Sequence, residues 1–585
     1  LETPKMELGF HSFEEQMSAF LYVGKEFALY HPGNLFAHNY FLAVNVGCIE
    51  KLAADEDKQL LPIEIILKAF ESDLVPHFET LIFALAVCSK QVYSESLRHA
   101  AYAIVGKICS LPEHFILFIK FASELSKRKV TMSHPNKPSH GWGHGLRKAV
   151  NNWYLSKEPL ELAKCVTRCK GRYGWKHKDI VKLSHPHPDT PEKEVILKYI
   201  MHGLEKTKKS FGDKLDVQEL IEYIQKVEDF KHCNDKVQAA GLLEKYELTL
   251  DHVPGHMLKS TEIWNSLIPS MDLHTLLNNL QRIHNLGLLK ANAPAVEKVI
   301  DEITNKERLA RSNIHPIFVY IILKNYENSG KPLSYEKRKM KEQAKKPFPP
   351  PPKPNSKIIS ALNEAFELSV LNLKSTGLRY MITINANKIM WKCPTWRSGN
   401  VNAAEAGFLI AYALSRCEKD VTAAAFDVID VHIINLNQSL YFSSLMNVYQ
   451  PMPNNIIRLS SPIIWASQKG YQYDVFINVM DDIVNYNECE EVFEDYREQM
   501  NLPHTKLINC VVCSSKAYKE DIYNRNILTI YGFDATVPMV IQAFKFISHF
   551  YTIFRNDLTC RKFFIIHYVR VPFEIKKNFL RVIKQ

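Results

Sequence analysis

From the N-terminus to about Asn325, apolar residues return at three- and four-residue spacing, the period of one helix face. Runs from Ile63 to Phe70, Phe78 to Ser89, Glu95 to Cys109, Pro112 to Ser126 and Leu146 to Trp153 each predict a helix. In the last of these, Leu146, Val150 and Trp153 share a face. Pro112, Pro159, Pro191 and Pro254 stand at expected helix starts or breaks, where a missing N–H does least harm. Strand signals are scarce here. Paired helices in units of about 40 residues predict a helical solenoid.

The pattern then breaks. Lys331 to Lys346 is highly charged, and Lys345 to Lys357 reads KKPFPPPPKPNSK, which cannot continue a helix and favours an extended spacer. A proline spacer needs no ligand; an SH3-type docking site is the alternative. Beyond it the period alternates. Tyr380 to Asn385, Thr422 to Asn435, Tyr473 to Met480 and Lys506 to Cys513 predict strands. Ala403 to Arg416, Ser460 to Lys469, Glu488 to Asn501 and Val537 to Phe554 predict helices. Such alternation implies a parallel sheet covered on both faces, with ligands at the carboxyl ends of its strands. The expected organisation is a helical domain over 1–340, a Lys/Pro-rich linker over 341–357, an α/β domain over 358–550 and a basic, aromatic-rich tail over 551–585.

Composition changes this picture little. The chain has 585 residues, more than one core holds, so two large domains are expected. The net charge of +10 is moderate, and its distribution matters more than its size. Twelve scattered cysteines form no dense framework and predict reduced thiols in an intracellular protein, expected in the cytoplasm and also in the nucleus. Cys510 and Cys513 form a C-x-x-C inside an apolar run, read as a strand packing two thiols rather than a metal or redox pair. The polar, acidic beginning predicts no signal peptide. No apolar run reaches the roughly 18 residues of a membrane span.

Charge concentrates between Gly141 and Lys182, where ten Lys/Arg face three Asp/Glu and Trp142, Trp153, Tyr154, Tyr173 and Trp175 are interleaved. Cations attract phosphate and aromatic faces accept unstacked bases, so this stretch is a candidate RNA-binding surface. If Leu160 to Lys170 is one helix, Leu162, Val166 and Cys169 face the core. Lys164 and Arg168 then face away, Arg172 continues their line, and Gly171 and Gly174 end the helix. A solvated lysine-rich face is the plain alternative.

The same stretch resembles the Ro (SS-A) ribonucleoprotein autoantigen family and its TROVE module. The residues that carry the likeness are Trp142-Gly143, Leu146-Arg147-Lys148-Ala149, Trp153-Tyr154, Gly174-Trp175-Lys176-His177-Lys178-Asp179 and Leu183-Ser184-His185. Phe83 to Ser89 and Ile314-His315-Pro316 match as well, and the likeness continues to about Ile541. It implies a multidomain fold: an all-α ring of HEAT-like helical repeats followed by an α/β (Rossmann-like) von Willebrand factor A domain. It also implies binding of small noncoding Y RNAs on a basic outer surface and of single-stranded 3′ ends of misfolded RNAs in the ring, as part of RNA quality control. Three family positions tied to Y RNA correspond to Arg168, Arg172 and His185. Arg at 168, where the family has Lys, keeps the charge and adds a planar fork. Arg147, Lys148, Lys170, Lys176, His177, Lys178 and Lys182 are further candidate contacts.

The family's von Willebrand domains carry a magnesium site built on Asp-x-Ser-x-Ser. Here that loop reads Asn385-Ala386-Asn387-Lys388-Ile389, the family's Thr-Asp falls near Ile457 and Arg458, and only Asp481 keeps its acidity. One carboxylate is a poor match for a hard cation, so no cofactor is expected, with Lys388 or Arg458 taking the cation's place.

No P-loop, G-x-S-x-G, H-E-x-x-H or zinc-deaminase signature occurs, so no enzyme is expected. Expected partners are Y-like RNA, misfolded RNA ends and proteins at the von Willebrand domain, with no membrane and a monomeric chain. The alternative is a diverged paralogue serving as a protein-interaction scaffold.

Overall fold

A computed structural model describes residues 12–33, 41, 46–127, 142–333, 335–343, 351–385, 387–427, 430–436, 441–449, 457–482, 486–516, 524–544 and 547. The tail over 551–585 and most of the Lys/Pro run lie outside the described residues. Among them the chain forms two compact units. One takes the described residues within Phe10–Glu26, Leu35–Lys226 and Ala543–Gln585. The other takes those within Phe27–Asn34 and Val227–Gln542. The described strands are β1 (Leu29–Tyr30), β2 (Gly171–Arg172), β3 (Trp175–Lys176), β4 (Arg379–Asn385), β5 (Asp420–Phe426), β6 (Val431–Ile434), β7 (Val475–Met480), β8 (Lys506–Val511) and β9 (Ile527–Tyr531).

The first unit is helical apart from the β2–β3 hairpin. Its centre is the Phe78–Lys90 helix, buried from Thr80 to Ser89 and packed between the Leu61–Glu71, Glu95–Ile108 and Pro112–Lys127 helices. A helix apolar on every side has to be surrounded. Phe83 meets Phe20 and Phe121, with ring centroids 6.1 and 5.0 Å away. Pro112, Pro159 and Pro191 begin helices, as expected, whereas Pro254 lies between two short 3-10 turns.

The second unit joins further helices to a doubly wound sheet of order β1-β9-β8-β7-β4-β5-β6. Its pairings are parallel except β5–β6. The single strand expected from Thr422 to Asn435 is thus two antiparallel strands. Two strands of this sheet escaped the sequence reading: β9, and β1, which pairs beside it. Tyr30 Oη lies 2.5 Å from Thr536 Oγ1, His31 stacks on Tyr531 at 5.5 Å, and Arg397 Nε donates to Pro32 O at 3.1 Å. Pro352 accepts from Ser329 Oγ at 3.4 Å and Asn355 Nδ2 donates to Leu289 O at 3.0 Å, so the end of the proline run is held against the turns that follow two helices.

One face of the sheet packs Met381, Phe476, Leu507 and Ile527 beneath the Ser461–Lys469 and Tyr486–Gln499 helices. Through it runs a buried polar row, Thr383, Asn478, Asn509 and Thr529, paired in register across β4, β7, β8 and β9. Thr383 Oγ1 donates to Asn478 Oδ1 at 2.7 Å, and Asn478 Nδ2 to Asn509 Oδ1 at 3.3 Å. A one-residue slip would turn every side chain to the opposite face, and the row adds a hydrogen-bond cost to that slip.

Candidate nucleic-acid interface

The basic stretch folds into the His144–Leu155 and Pro159–Arg168 helices, the β2–β3 hairpin and the His177–Ser184 helix. Its interleaved aromatics divide into two sets. Trp153 and Tyr154 are core residues. Trp153 stacks on Phe115 with centroids 4.0 Å apart and planes 5° apart, and its Nε1 donates to Cys109 O at 2.7 Å. Trp142, Tyr173 and Trp175 stay partly exposed.

The Pro159–Arg168 helix buries Leu162, Ala163, Val166 and Thr167 and turns Lys164 to solvent. It ends at Arg168, earlier than the sequence reading placed it, because Cys169 is extended. Gly171 is a strand residue rather than a helix stop. A Cβ there would meet Trp175 O at 2.6 Å, so only glycine fits. Tyr173 and Gly174, at φ +53° and +81°, form the tight turn that such a hairpin requires. The hairpin lies against the Pro112–Lys127 helix, and Lys120 Nζ and Arg172 Cζ sit 5.7 and 5.2 Å from the centroid of the Tyr173 ring.

Most of the expected contact residues are on the surface. Arg147, Lys148, Lys170, Arg172, Lys176, Lys178, Lys182 and His185 are exposed. Arg168 is half-buried, its Nη2 3.3 Å from Glu113 Oε1. His185 caps the His177–Ser184 helix in the left-handed region at φ +50°, its N–H donating to Val181 O at 3.0 Å. Lys193, buried, ties the helix that Pro191 begins to the end of the His144–Leu155 helix by donating to Leu155 O at 2.6 Å.

His177 is the exception. It is 2% exposed, and its Nδ1 lies 2.6 Å from Tyr154 Oη. Burial pushes the imidazole down to about 4, offset only in part by the Cys169 backbone. It is a core residue, not a surface contact. The signal was present: His177, Ile180, Val181 and Ser184 are the buried face of one helix.

In the sheet unit, the residues at the expected metal loop do not fit a hard cation. Asn385 Nδ2 donates to Asp481 Oδ1 at 2.9 Å, and Asn385 Oδ1 accepts from the Asn387 backbone at 3.0 Å. The amide, not a lysine or arginine, therefore faces the carboxylate. Lys388 is exposed and Ile389 offers no oxygen ligand. Arg458 binds Glu488 instead, holding that carboxyl below its ordinary range. Cys510 is a core thiol and Cys513 is half-buried, both pushed up to about 12 by burial. The eleven described cysteines are free thiols. Among the described residues no cluster of metal-ligating side chains occurs, and no helix is long and apolar enough to cross a membrane.

Packed helices followed by a doubly wound sheet with a degenerate metal loop at the end of β4 define a helical-repeat protein with an appended von Willebrand A domain. The TROVE domain model matches residues 38–328, and the Ro60 vWA domain model matches residues 379–545. The chain belongs to the Ro family. It is 24% identical to the RNA-binding protein RO60 of Caenorhabditis elegans, over 91% of this chain and 88% of that one. It is 23% identical to the RNA-binding protein RO60 of Deinococcus radiodurans, over 83% and 84%. The crystal structure of the Deinococcus radiodurans RO (RSR) protein shares the fold, with a TM-score of 0.74 at 21% identity over 91% of this chain and 99% of that one.

Proposed function

We propose that this protein is a noncatalytic RNA-binding protein that holds small structured, Y-like RNA on the basic face of its helical unit. Its other ligands are single-stranded 3′ ends of misfolded RNA, in RNA quality control. One observation carries the reading: Arg172 and His185 are exposed and Arg168 is half exposed, on consecutive elements of a surface that also presents Lys170, Lys176 and Lys178. A-form RNA is gripped through phosphates and shape rather than through its narrow major groove, and mobile cations on a rigid helical base suit that task. The two relatives named as RNA-binding proteins support the same reading.

The von Willebrand domain works in this account without a divalent cation, since the Asn385 amide already occupies Asp481. Crosslinking the protein to RNA in cells and sequencing the RNA tests the proposal. A small set of hairpin RNAs with shared stems is expected. Recovery of proteins with only sequence-blind RNA background would favour the scaffold role instead.

A further inference from the structure

The hairpin places an aromatic face beside an exposed cation. Arg172 and Trp175 are directly paired across β2 and β3. Opposite residues of an antiparallel pair project on the same side, with Cβ atoms about 4.5–5.5 Å apart. Trp142 leans on Trp175, centroids 5.9 Å apart at 46°, so the two indoles brace each other at a corner and leave no parallel slot between them. The other cross-strand pair is Gly171 with Lys176. Gly171 has no side chain, so that flank carries a cation and no wall. The turn is fixed by Tyr173 and Gly174, which means little order has to be gained on binding.

We propose that the Trp142–Trp175 corner is a stacking site for an unpaired RNA base whose phosphate is held by Arg172. The hairpin then prefers RNA that carries single-stranded nucleotides beside a duplex over a blunt duplex. This deepens the RNA-binding reading and rests on it. Trp153 and Tyr154 take no part, being sealed in the core. Each base stacked on an aromatic side chain contributes about 1–3 kcal/mol, which is about 5- to 150-fold in affinity.

The test uses the full chain and three RNAs: a blunt hairpin, the same hairpin with a short adenosine overhang, and the same hairpin with an abasic overhang of equal length. The parent is expected to bind the adenosine overhang at least about fivefold more tightly than the other two. Trp175→Leu should bring the adenosine overhang down to the affinity of the abasic one, the comparison that separates base stacking from single-strand binding elsewhere on the protein. Retention of the parent's preference in Trp175→Leu overturns the stacking site and leaves the RNA reading intact. Failure of the parent to bind any of the three overturns the RNA reading itself. Since Trp175→Leu can disturb the hairpin, an overhang containing iodouridine is also photocrosslinked to the unaltered protein. The adduct is expected on Trp175 or Trp142, and an adduct confined to other residues contradicts the proposal.

Discussion

Tyr154 Oη lies 2.6 Å from His177 Nδ1, where the chain leaves β3, within an aromatic cluster with Trp153 and Phe115. The bond needs a neutral imidazole if Tyr154 donates, and burial keeps His177 neutral down to about pH 4. An unfolded histidine titrates near 6.5. Below that pH the unfolded state takes up a proton that the folded state refuses, so this stability is whole above about pH 6.5 and is lost as pH falls towards 4. The full loss is about 3 kcal/mol. Melting temperature is expected to drop across this window, and His177→Gln should reduce the slope. A parent whose melting temperature is flat from pH 7 to 4 would contradict the assignment.

The Asn385 amide donates to Asp481, the carboxylate at the loop, and that loop is proposed to hold no cation. Melting temperature is therefore expected to be the same in millimolar magnesium and in chelator. Asn385→Asp sets two carboxylates at hydrogen-bond distance, and like charges there cannot both ionise freely. At pH 7 that variant should be destabilised by about 1–3 kcal/mol, much of it recovered below pH 5. Magnesium that raises the parent's melting temperature would show that the loop does hold a cation.

Asn478 is the centre of the polar row across the sheet, donating to Leu459 O at 3.4 Å as well as to Asn509. Asn478→Leu is of similar size but strands the Asn509 side-chain carbonyl and leaves the buried Thr383 hydroxyl only the long bond to Ile477 O at 3.5 Å. A loss of about 1–3 kcal/mol per stranded group is expected in denaturant melts. A stable Asn478→Leu variant would mean that the row is dispensable.

Gly171 has Trp175 O where a Cβ would go. Backbone cannot yield as a side-chain tip does, so Gly171→Ala should splay the hairpin and cost about 1–3 kcal/mol. Hairpin-RNA affinity should fall with it, although no charge is removed. Unaltered affinity and stability would show that the hairpin tolerates the bulk.

Most helices were legible because their apolar spacing is regular: the Phe78–Lys90 and Pro112–Lys127 helices lie within a residue of their expected bounds. The family likeness located the metal loop at Asn385, yet the partner of Asp481 depends on side-chain placement that no spacing reveals. β1 is two residues long and exists only because β9 offers it an edge, so no local signal marks it. β9 had such a signal, the β-branched run Ile527 to Tyr531, which went unread. The helix-face reading put Arg172 on the surface, and the family likeness supplied His185, which is exposed as well. The matched motif around Trp175 also carried His177 along with Lys176 and Lys178, because a motif match is blind to which way a helix turns.

The central claim is that cations on the helical surface grip RNA phosphates. It is tested most directly by the salt dependence of hairpin-RNA affinity in the parent and in Arg168→Ala/Arg172→Ala/His185→Ala. Each phosphate contact removed lowers the slope of log affinity against log salt by about 1. The triple variant is expected to bind more weakly with a slope shallower by about 2, one for each arginine. Equal affinity and an equal slope in the two proteins would contradict the account.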